Sequence, residues 1–274
     1  MMKPNLNEIF KLRKAHNGVE YLYIPMFDDT GLVRTFFTTR KGGISKGDFD
    51  SLNFGKYTED RIINVAENRK RLFSALGIEK PIMVFPRQVH GDAVACLTAK
   101  DIEGQENVTI EDTDAVITDL RHVILTTVHA DCLVVYLLDP VNRSIGLVHA
   151  GWRGTRNNIS AKTVDLMVQN LGAKREDIIA VIGPGLGGCC FEVGPEVYEE
   201  FRTRFDYIEE FASGNKNDKY LIDLKGLNTK QLKNVGVGQV YVTNYCTSCS
   251  PEVFFSHRRD KGRTGRMGAG ISLL

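Results

Sequence analysis

The sequence has no long apolar stretch: none of its hydrophobic runs approaches the ~18–20 residues needed to span a bilayer. The N-terminal segment Met1–Lys14 lacks the apolar core and the small-residue cleavage site of a signal peptide. The net charge is +1, from 35 basic and 34 acidic residues, so no excess of basic charge attracts nucleic acid or a membrane surface. These absences predict a soluble, cytoplasmic protein with no nucleic-acid or membrane partner.

Cysteines are few, and their irregular spacing indicates cytoplasmic thiols rather than a disulfide framework. The six are Cys96, Cys132, Cys189, Cys190, Cys246 and Cys249. Cys246 and Cys249 form a CxxC pair, but no second CxxC completes a four-cysteine zinc site, and Pro251 follows where a redox CxxC would open a helix. Cys189 and Cys190 are adjacent, and we do not expect both to serve one metal. We therefore predict mainly structural roles for these four, with Cys246 the one placed to line a site.

What the chain does have is an ordinary globular composition, with 42% hydrophobic and 25% charged residues over a length of 274. Apolar runs of strand length alternate with segments of helical period, and no linker divides them. We expect one domain over residues 1–274, with an α/β (α+β) fold in which a mixed β-sheet is flanked by helices. The predicted strands are Val33–Thr39, Ile82–Phe85, Val94–Leu97, Ala115–Thr118, Val123–Val128, Leu133–Leu138, Ser144–Val148, Ile178–Ile182, Gln239–Thr243 and Val253–Ser256. The predicted helices are Glu59–Leu76, a helix capped by Asn157 or Asn158 that ends at about Leu171, Pro195–Phe205 and Leu224–Asn234.

The most informative pair of residues is Cys132 and His149. The apolar runs Leu133–Leu138 and Ser144–Val148 flank the turn sequence Asp-Pro-Val-Asn, which predicts an antiparallel hairpin with a four-residue loop at 139–142. Counting outward from that loop places Cys132 directly opposite His149, where Cβ atoms lie ~4.5–5.5 Å apart. A thiolate beside an imidazole is the geometry of a metal site or of a nucleophile with its base, and the spacing alone does not choose between them.

His90 is a third candidate ligand, since it also lies at a predicted strand end followed by glycine. One cysteine and two histidines suit Zn²⁺, and three protein ligands leave an open position, as in catalytic zinc sites that lower the pKa of bound water to ~7. His129 is the competing ligand, although strand alternation would place it on the face opposite Cys132. Asp131 is a candidate base, a residue that orients a ligand histidine, or a cap of the strand end.

The C-terminal segment is basic and rich in glycine. Its arginines either hold phosphate through bidentate contacts or belong to a solvated tail; they are Arg258, Arg259, Arg263 and Arg266. The loop at 183–188 (GPGLGG) lacks the Gly-Lys-Ser/Thr ending of a phosphate-binding P-loop, so we predict a tight turn there.

Taken together, the motifs of the chain resemble those of the YfiH/YlmD family. In chain order they are TRKGGISKGDFDSLNFG (39–55), QVHG (88–91), ADC (130–132), VHAGWRG (148–154), IGPGLGGCCFEVGPEV (182–197), CT (246–247) and SHRRDKGRTGRM (256–267). Members of this family were once labelled multicopper polyphenol oxidases or laccases and are now regarded as purine nucleoside phosphorylases. One departure is His129, which stands where the TADC pattern of the family commonly has threonine.

The resemblance implies a zinc-dependent purine nucleoside phosphorylase that also deaminates adenosine. Its implied substrates are adenosine, guanosine, inosine and methylthioadenosine, together with phosphate. The implied fold is a compact layered α/β domain related to a group of proteins interpreted as cysteine hydrolases. The implied metal ligands are His90, Cys132 and His149. The catalytic residues expected are these three and Asp131. The residues expected to bind substrate and phosphate are Asn53, Arg258 and Arg259.

Histidine content separates the two labels of the family. The chain has six histidines, too few for separate mononuclear and trinuclear copper centres held largely by imidazoles, so zinc is the expected metal and copper the second choice. The rival hypothesis from the residues themselves is a metal-free cysteine hydrolase, with Cys132 as nucleophile and His149 as base.

Overall fold

The computed structural model describes residues 9–79, 81–214 and 217–274. Residues 1–8, which make up most of the segment behind the signal-peptide argument, lie outside the described residues. The strands are β1 (Lys11–Lys14), β2 (Glu20–Tyr23), β3 (Val33–Thr38), β4 (Ile82–Pro86), β5 (Val94–Cys96), β6 (Asn107–Ile110), β7 (Ala115–Thr118), β8 (Val123–His129), β9 (Leu133–Asp139), β10 (Ser144–Ala150), β11 (Ile179–Ile182), β12 (Glu192–Val193), β13 (Ala212–Gly214), β14 (Tyr220–Ile222), β15 (Gln239–Val242) and β16 (Met267–Leu273). The α-helices are α1 (Pro25–Asp28), α2 (Ile62–Leu76), α3 (Ala99–Ile102), α4 (Trp152–Arg156), α5 (Ile159–Leu171), α6 (Pro195–Arg202) and α7 (Leu224–Asn234).

Two large sheets and one small sheet take the place of the single mixed sheet that the sequence suggested. Sheet A has the strand order β1-β2-β3-β16-β8-β4-β6, and sheet B has the order β15-β11-β9-β10-β7-β5. The three short strands β12-β14-β13 form the third sheet. The predicted class, mixed sheets flanked by helices, is confirmed. The expected number of sheets is wrong, because alternation along a strand specifies its two faces and not its neighbours.

The two large sheets pack face to face, and each has helices on its outer face. Along β9, Val134, Tyr136 and Leu138 face sheet A, whereas the alternate residues of the strand pack with α5 and α7. The outer face of sheet A is covered by α2 through Leu72 and Phe73. Because β9 and β10 are buried on both faces, they read as nearly continuous apolar runs in the sequence.

The C-terminal segment ends in a central strand rather than a tail, since β16 lies between β3 and β8 in sheet A. Its glycines are required by close neighbours: a Cβ at Gly268 would lie 2.5 Å from the Phe54 ring, and one at Gly270 would lie 2.3 Å from the Phe36 ring. The strand predicted at Val253–Ser256 is wrong. The two phenylalanines of that segment are buried in the core between the sheets without joining a ladder.

The hairpin of β9 and β10 has a register two residues away from the predicted one. His149 pairs with Val134, so Cys132 does not lie directly opposite His149. The loop begins one residue later than expected, because Asp139 stays in the ladder while its carboxylate accepts hydrogen bonds from the backbone of the loop. A shift of two residues keeps both side chains on the same face, since the side-chain period of a strand is two. Cys132 and His149 are therefore diagonal neighbours across the hairpin instead of directly opposed residues.

Candidate functional site

Three side chains meet at one end of the space between the two large sheets. The ligand atoms of His90, Cys132 and His149 all lie within 4.8 Å of one another. His90 follows β4, Cys132 precedes β9, and His149 lies near the end of β10. One sulfur and two imidazole nitrogens form a donor set that suits zinc, and these three residues could hold a metal ion.

The His149 ring is held by Asp114, through the pairing of β7 with β10. Just beyond the end of that ladder, the His149 backbone N–H donates to the Asp114 carbonyl at 2.8 Å. The Nδ1 atom of His149 lies 2.7 Å from Asp114 Oδ1, and both side chains are buried. With its Nδ1–H donated to the carboxylate, the ring presents Nε2 to a metal or to a proton.

Asp114 also fixes the loop that carries His90. Its carboxylate accepts hydrogen bonds from the backbone N–H groups of Val89, His90 and Gly91 at 3.2, 3.0 and 2.8 Å. These bonds hold His90 at a φ of 61°, a left-handed conformation that is uncommon outside glycine. Gln88 attaches the same loop to sheet A, since its side-chain amide exchanges two hydrogen bonds of 2.9 Å with the backbone of β8.

Opposing effects set the protonation of the cluster. Burial raises the pKa of the Cys132 thiol, but His149 and His90 outweigh burial and lower this pKa to about 6. Burial lowers the pKa of His149, but the Cys132 thiolate and the Asp114 carboxylate raise it to about 9. Both shifts favour the thiolate form of Cys132 and the protonated form of His149.

His129 is not a member of this cluster. It ends β8 in sheet A, whereas Cys132 precedes β9 in sheet B, so the two residues do not share a strand and the predicted alternation of their side chains is wrong. Its Nδ1 lies 3.1 Å from the Cys132 carbonyl, and its Nε2 lies 2.7 Å from the Thr127 hydroxyl. A carbonyl only accepts, so Nδ1 donates to it and Nε2 accepts from the hydroxyl. Burial keeps the pKa of His129 well below its usual value, and the neutral ring uses both nitrogens in these contacts.

Asp131 joins three loops beside the cluster. Its carboxylate accepts hydrogen bonds from the Thr247 hydroxyl and from the backbone N–H of Arg258, both at 2.6 Å. Its carbonyl accepts one from the backbone N–H of Leu186 at 2.7 Å. One role considered for Asp131 is to orient a ligand histidine. In the structure Asp114 has this role instead. Its role as a base stays a prediction.

The two predicted phosphate-binding arginines are placed differently. Arg258 lines the cleft described below, donates from Nη1 to the Glu192 carbonyl at 2.7 Å, and lies 5.7 Å from the centre of the Phe191 ring. The Arg259 guanidinium instead makes two hydrogen bonds of 2.8 and 2.9 Å to Asp260 and others to backbone carbonyls. Arg258 therefore presents its charge to the cleft, whereas Arg259 uses its donors within its own region of the chain.

Asn53 is fully buried and reaches the cleft through Arg266. Its Oδ1 accepts hydrogen bonds from the backbone N–H groups of Gly55 and Arg266 at 3.0 and 2.9 Å, and its Nδ2 donates to two side chains of the turn that follows. Arg266 lines the cleft and lies close enough to Cys132 for their charges to interact. Asn53 thus positions the backbone of Arg266, whose side chain lines the cleft.

The cluster opens into a cleft of about 1760 Å³ that runs along sheet A to α2. This volume exceeds the ~300–1000 Å³ typical of small-molecule sites, so the cleft has room for more than one small molecule. Near the cluster its walls combine apolar side chains with two arginines and a histidine: Trp152, Leu186, Phe191, Arg258, Arg266 and His257.

Gly151 leaves room for the cluster. A Cβ at this position would lie 3.3 Å from Cys132 Sγ and 3.5 Å from His90 Cδ2. The φ of Gly151 is −68°, which any residue adopts, so the requirement for glycine is one of space. The helix that follows, α4, was not predicted, and it places Trp152 at the cleft.

Asp114 and Gln88 were not among the predicted site residues. Asp114 stands directly before the buried strand β7, but little in its immediate sequence distinguishes it from Asp112. Gln88 lies two residues before His90, and that closeness to a candidate ligand is its one local signal. Both roles depend on contacts between segments that are distant along the chain.

Comparisons with known proteins agree with the motifs. A family model described as "Multi-copper polyphenol oxidoreductase laccase" matches residues 34–274. The purine nucleoside phosphorylase YlmD of Bacillus subtilis is 34% identical over 242 residues, which cover 86% of this chain and 87% of that protein. A purine nucleoside phosphorylase of Deinococcus radiodurans is 40% identical over 238 residues, covering 86% and 88% of the two chains. The crystal structure of YlmD from Geobacillus stearothermophilus has a TM-score of 0.88 at 34% identity and covers 97% of this chain and 99% of that one.

The fold and the site define an α+β protein with a cysteine–histidine cluster between two sheets. The chain belongs to the YfiH/YlmD family, as its motifs indicated. Over the described residues, the structure contains no helix that is both long and apolar enough to cross a membrane.

Proposed function

We propose that this protein is a zinc-dependent purine nucleoside phosphorylase that also deaminates adenosine. The relatives that carry the name purine nucleoside phosphorylase support the first activity. The observation that carries the metal dependence is the gathering of His90, Cys132 and His149 beside the cleft. The substrates that we expect are adenosine, guanosine, inosine and methylthioadenosine, each with phosphate.

The residues of the cluster fit a zinc ion. Three donor atoms face one another, and the tautomer that Asp114 imposes on His149 leaves its Nε2 free to coordinate. A zinc ion held by His90, Cys132 and His149 would supply Lewis acidity and an open position for water. Copper is the less suitable ion, because a multicopper oxidase needs several imidazole-rich centres and this cluster holds two histidines.

Residues of the cleft bind phosphate and orient the nucleoside. Phosphorolysis needs phosphate beneath the anomeric carbon and a proton donor near the leaving purine. Arg258 and Arg266 line the cleft near the cluster, and guanidinium groups bind phosphate in a bidentate manner. Trp152 and Phe191 offer flat apolar surfaces for a purine ring. Arg259, also predicted to bind phosphate, has its donors occupied by other groups, so Arg266 takes its place in this proposal.

Incubation with adenosine, with and without phosphate, tests both activities in one assay. Adenine formed with phosphate shows phosphorolysis, inosine formed without phosphate shows deamination, and hypoxanthine formed with phosphate shows both in sequence. We expect Cys132→Ala to lose about one zinc ion per chain and most of both activities. Cys96→Ser is the matched control, since Cys96 is half-buried and lies outside the cluster. Zinc-loaded protein that forms no purine product refutes the proposal.

The phosphate site has its own test. We expect Arg258→Gln to raise the KM for phosphate about tenfold or more, because a charged group that contacts phosphate is lost. Arg263→Gln is the matched control, since the Arg263 guanidinium is exposed and pairs with Asp48 and Glu59. Equal phosphate KM values in the two variants contradict the role given to Arg258.

A metal-free cysteine hydrolase is the second candidate, and the protonation of the cluster favours it. The low pKa of Cys132 and the high pKa of His149 give a nucleophilic thiolate beside an acid, with Asp114 orienting the ring. Metal analysis separates the candidates. Zinc that is lost in Cys132→Ala supports the phosphorylase, whereas an active enzyme with no metal at this cluster, inactivated by alkylation of Cys132, supports the hydrolase.

We also propose a cytoplasmic location and a single domain over residues 1–274. All six cysteines are free, as is usual in a reducing compartment. Strands from both ends of the chain, β3 and β16, pair within one sheet. Cell fractionation tests the location, and a single cooperative unfolding transition tests the domain.

A further inference from the structure

Four cysteines that are separate in sequence gather in a second cluster. The sulfur atoms of Cys189, Cys190, Cys246 and Cys249 all lie within 4.8 Å of one another. We propose that these four residues form a second metal site, structural in role, that binds one zinc ion. The sequence did not predict this arrangement, because a four-cysteine site was expected to need a second CxxC and the chain supplies an adjacent pair instead.

The sulfur–sulfur distances match those around one tetrahedral ion. A Zn–S bond of ~2.3 Å places sulfur atoms ~3.8 Å apart at tetrahedral angles. Cys189 Sγ lies 3.7 Å from Cys190 Sγ and 3.7 Å from Cys249 Sγ, and the last two lie 3.4 Å apart. An iron–sulfur cluster distributes its cysteines over several iron atoms, so sulfurs this close together fit a single ion better.

The fold places the two cysteine pairs side by side. Strands β11 and β15 are parallel neighbours in sheet B, so the segments that follow them leave the same edge of the sheet. At that edge Gly185 and Cys246 form an isolated bridge, and the Thr247 N–H donates to the Gly185 carbonyl at 3.0 Å. Backbone hydrogen bonds therefore position the thiols independently of a metal.

The surroundings of Cys246 suit a thiolate. The Gly187 N–H donates to Cys246 Sγ at 3.3 Å, and hydrogen bonds of this kind stabilise metal-bound sulfur. The buried Lys225 ammonium lies close enough to Cys246 and Cys189 for their charges to interact. One zinc ion with four thiolates carries a net negative charge. The Lys225 ammonium partly neutralises this charge, and solvent screens it at the exposed Cys189 and Cys249.

A metal at this position would stabilise one wall of the cleft. Leu186 and Phe191, which lie on either side of the adjacent pair, line the cleft. Thr247, within the CxxC segment, donates to the Asp131 carboxylate at 2.6 Å. Four protein ligands leave no open position, so the ion serves structure rather than chemistry. We expect loss of this metal to lower the melting temperature and to raise KM values.

Metal content in an active-site variant tests this proposal independently of the proposed function. Cys132→Ala removes a ligand of the first cluster, so zinc that remains belongs to the second. Protein is produced with zinc in the medium and purified with a reductant and without a chelator. We expect about one zinc ion per chain in Cys132→Ala, and its loss when Cys249→Ser or Cys189→Ser is added. Addition of Cys96→Ser is the matched control and retains the ion.

Cobalt(II) gives a second measurement. Added to reduced, metal-free Cys132→Ala protein, it is expected to produce the intense visible absorption of tetrahedral thiolate coordination, and this absorption is lost when Cys249→Ser is added. Cys132→Ala protein that is folded by circular dichroism but binds neither zinc nor cobalt overturns the proposal. Copper in place of zinc, or a metal-free Cys190–Cys249 disulfide in the purified protein, also overturns it.

Discussion

Replacing Asp114 by asparagine removes one charge from the centre of the site and keeps the size of the side chain. One carboxylate oxygen accepts from His149 Nδ1 and the His90 N–H, and the other accepts from the Val89 and Gly91 N–H groups, at 2.7–3.2 Å. The amide of asparagine has one accepting oxygen, so in either orientation its NH₂ group faces two donors. Either the His149 ring or the His90 loop therefore loses its support.

Two effects set the expected losses of zinc affinity and of stability in Asp114→Asn. Loss of a group that orients a metal-binding histidine weakens metal affinity ~10–100-fold, or ~1.4–2.7 kcal/mol. Hydrogen bonds to charged groups contribute ~1.5–3 kcal/mol each, and two of the four are lost. We therefore expect Asp114→Asn to lower the free energy of unfolding by about 3 kcal/mol, the low end of that sum, because the loop can relax partly toward solvent.

Competition with a chromophoric chelator measures the zinc affinity, urea unfolding measures the stability, and kcat/KM with adenosine and phosphate measures the function. Asp112→Asn is the matched control, since Asp112 is exposed in the preceding turn and has a φ of 47°, which asparagine also adopts. A folded Asp114→Asn variant with the zinc affinity and kcat/KM of the wild type would show that Asp114 is not needed to orient His149 and the His90 loop.

Three further substitutions test other parts of the site and the core. Gly151→Ala places a Cβ 3.3 Å from Cys132 Sγ and should lower kcat/KM about tenfold with little change in melting temperature; unchanged kinetics would show that this space is not needed. His129→Thr should leave the zinc content unchanged, since both ring nitrogens have other partners; loss of one ion in metal analysis would make His129 a ligand. Burial raises the pKa of Asp28 from 3.8 to about 6, so the folded protein binds this proton more tightly than the unfolded chain, and the free energy of unfolding falls as pH rises between about 4 and about 6. Asp28→Asn keeps an oxygen for the two Thr35 donors. Urea unfolding at about pH 4 and about pH 6 should show that the decrease in the free energy of unfolding, up to about 3 kcal/mol in the wild type, is absent from this variant. A decrease of the same size in the variant would assign it to other titratable groups.

The pairing of Cys132 with His149 shows why a partly wrong prediction still located the site. The apolar runs of β9 and β10 and the turn between them indicated a hairpin, and the structure contains it. The register was wrong by two residues because the ladder continues through Asp139. Because the side-chain period of a strand is also two, the error in register changed which residues are directly opposed but left Cys132 and His149 on the same face.

The cysteines illustrate the opposite case. The spacing of Cys246 and Cys249 is visible in the sequence, as is the adjacency of Cys189 and Cys190, but neither pair indicates that the other is near. Their meeting depends on the parallel pairing of β11 with β15, which are separated by two helices and three strands along the chain.

Most of the helices and strands, the family and the three candidate ligands could be predicted from the sequence, because periodicity, turn residues and motif spacing are local properties. The tertiary structure alone decided that Asp114 holds His149, that His129 is occupied elsewhere, that β16 is central, and that four cysteines meet. These depend on which strands become neighbours, such as β7 with β10. Alternating apolar residues record that a strand is buried but not which strand lies beside it.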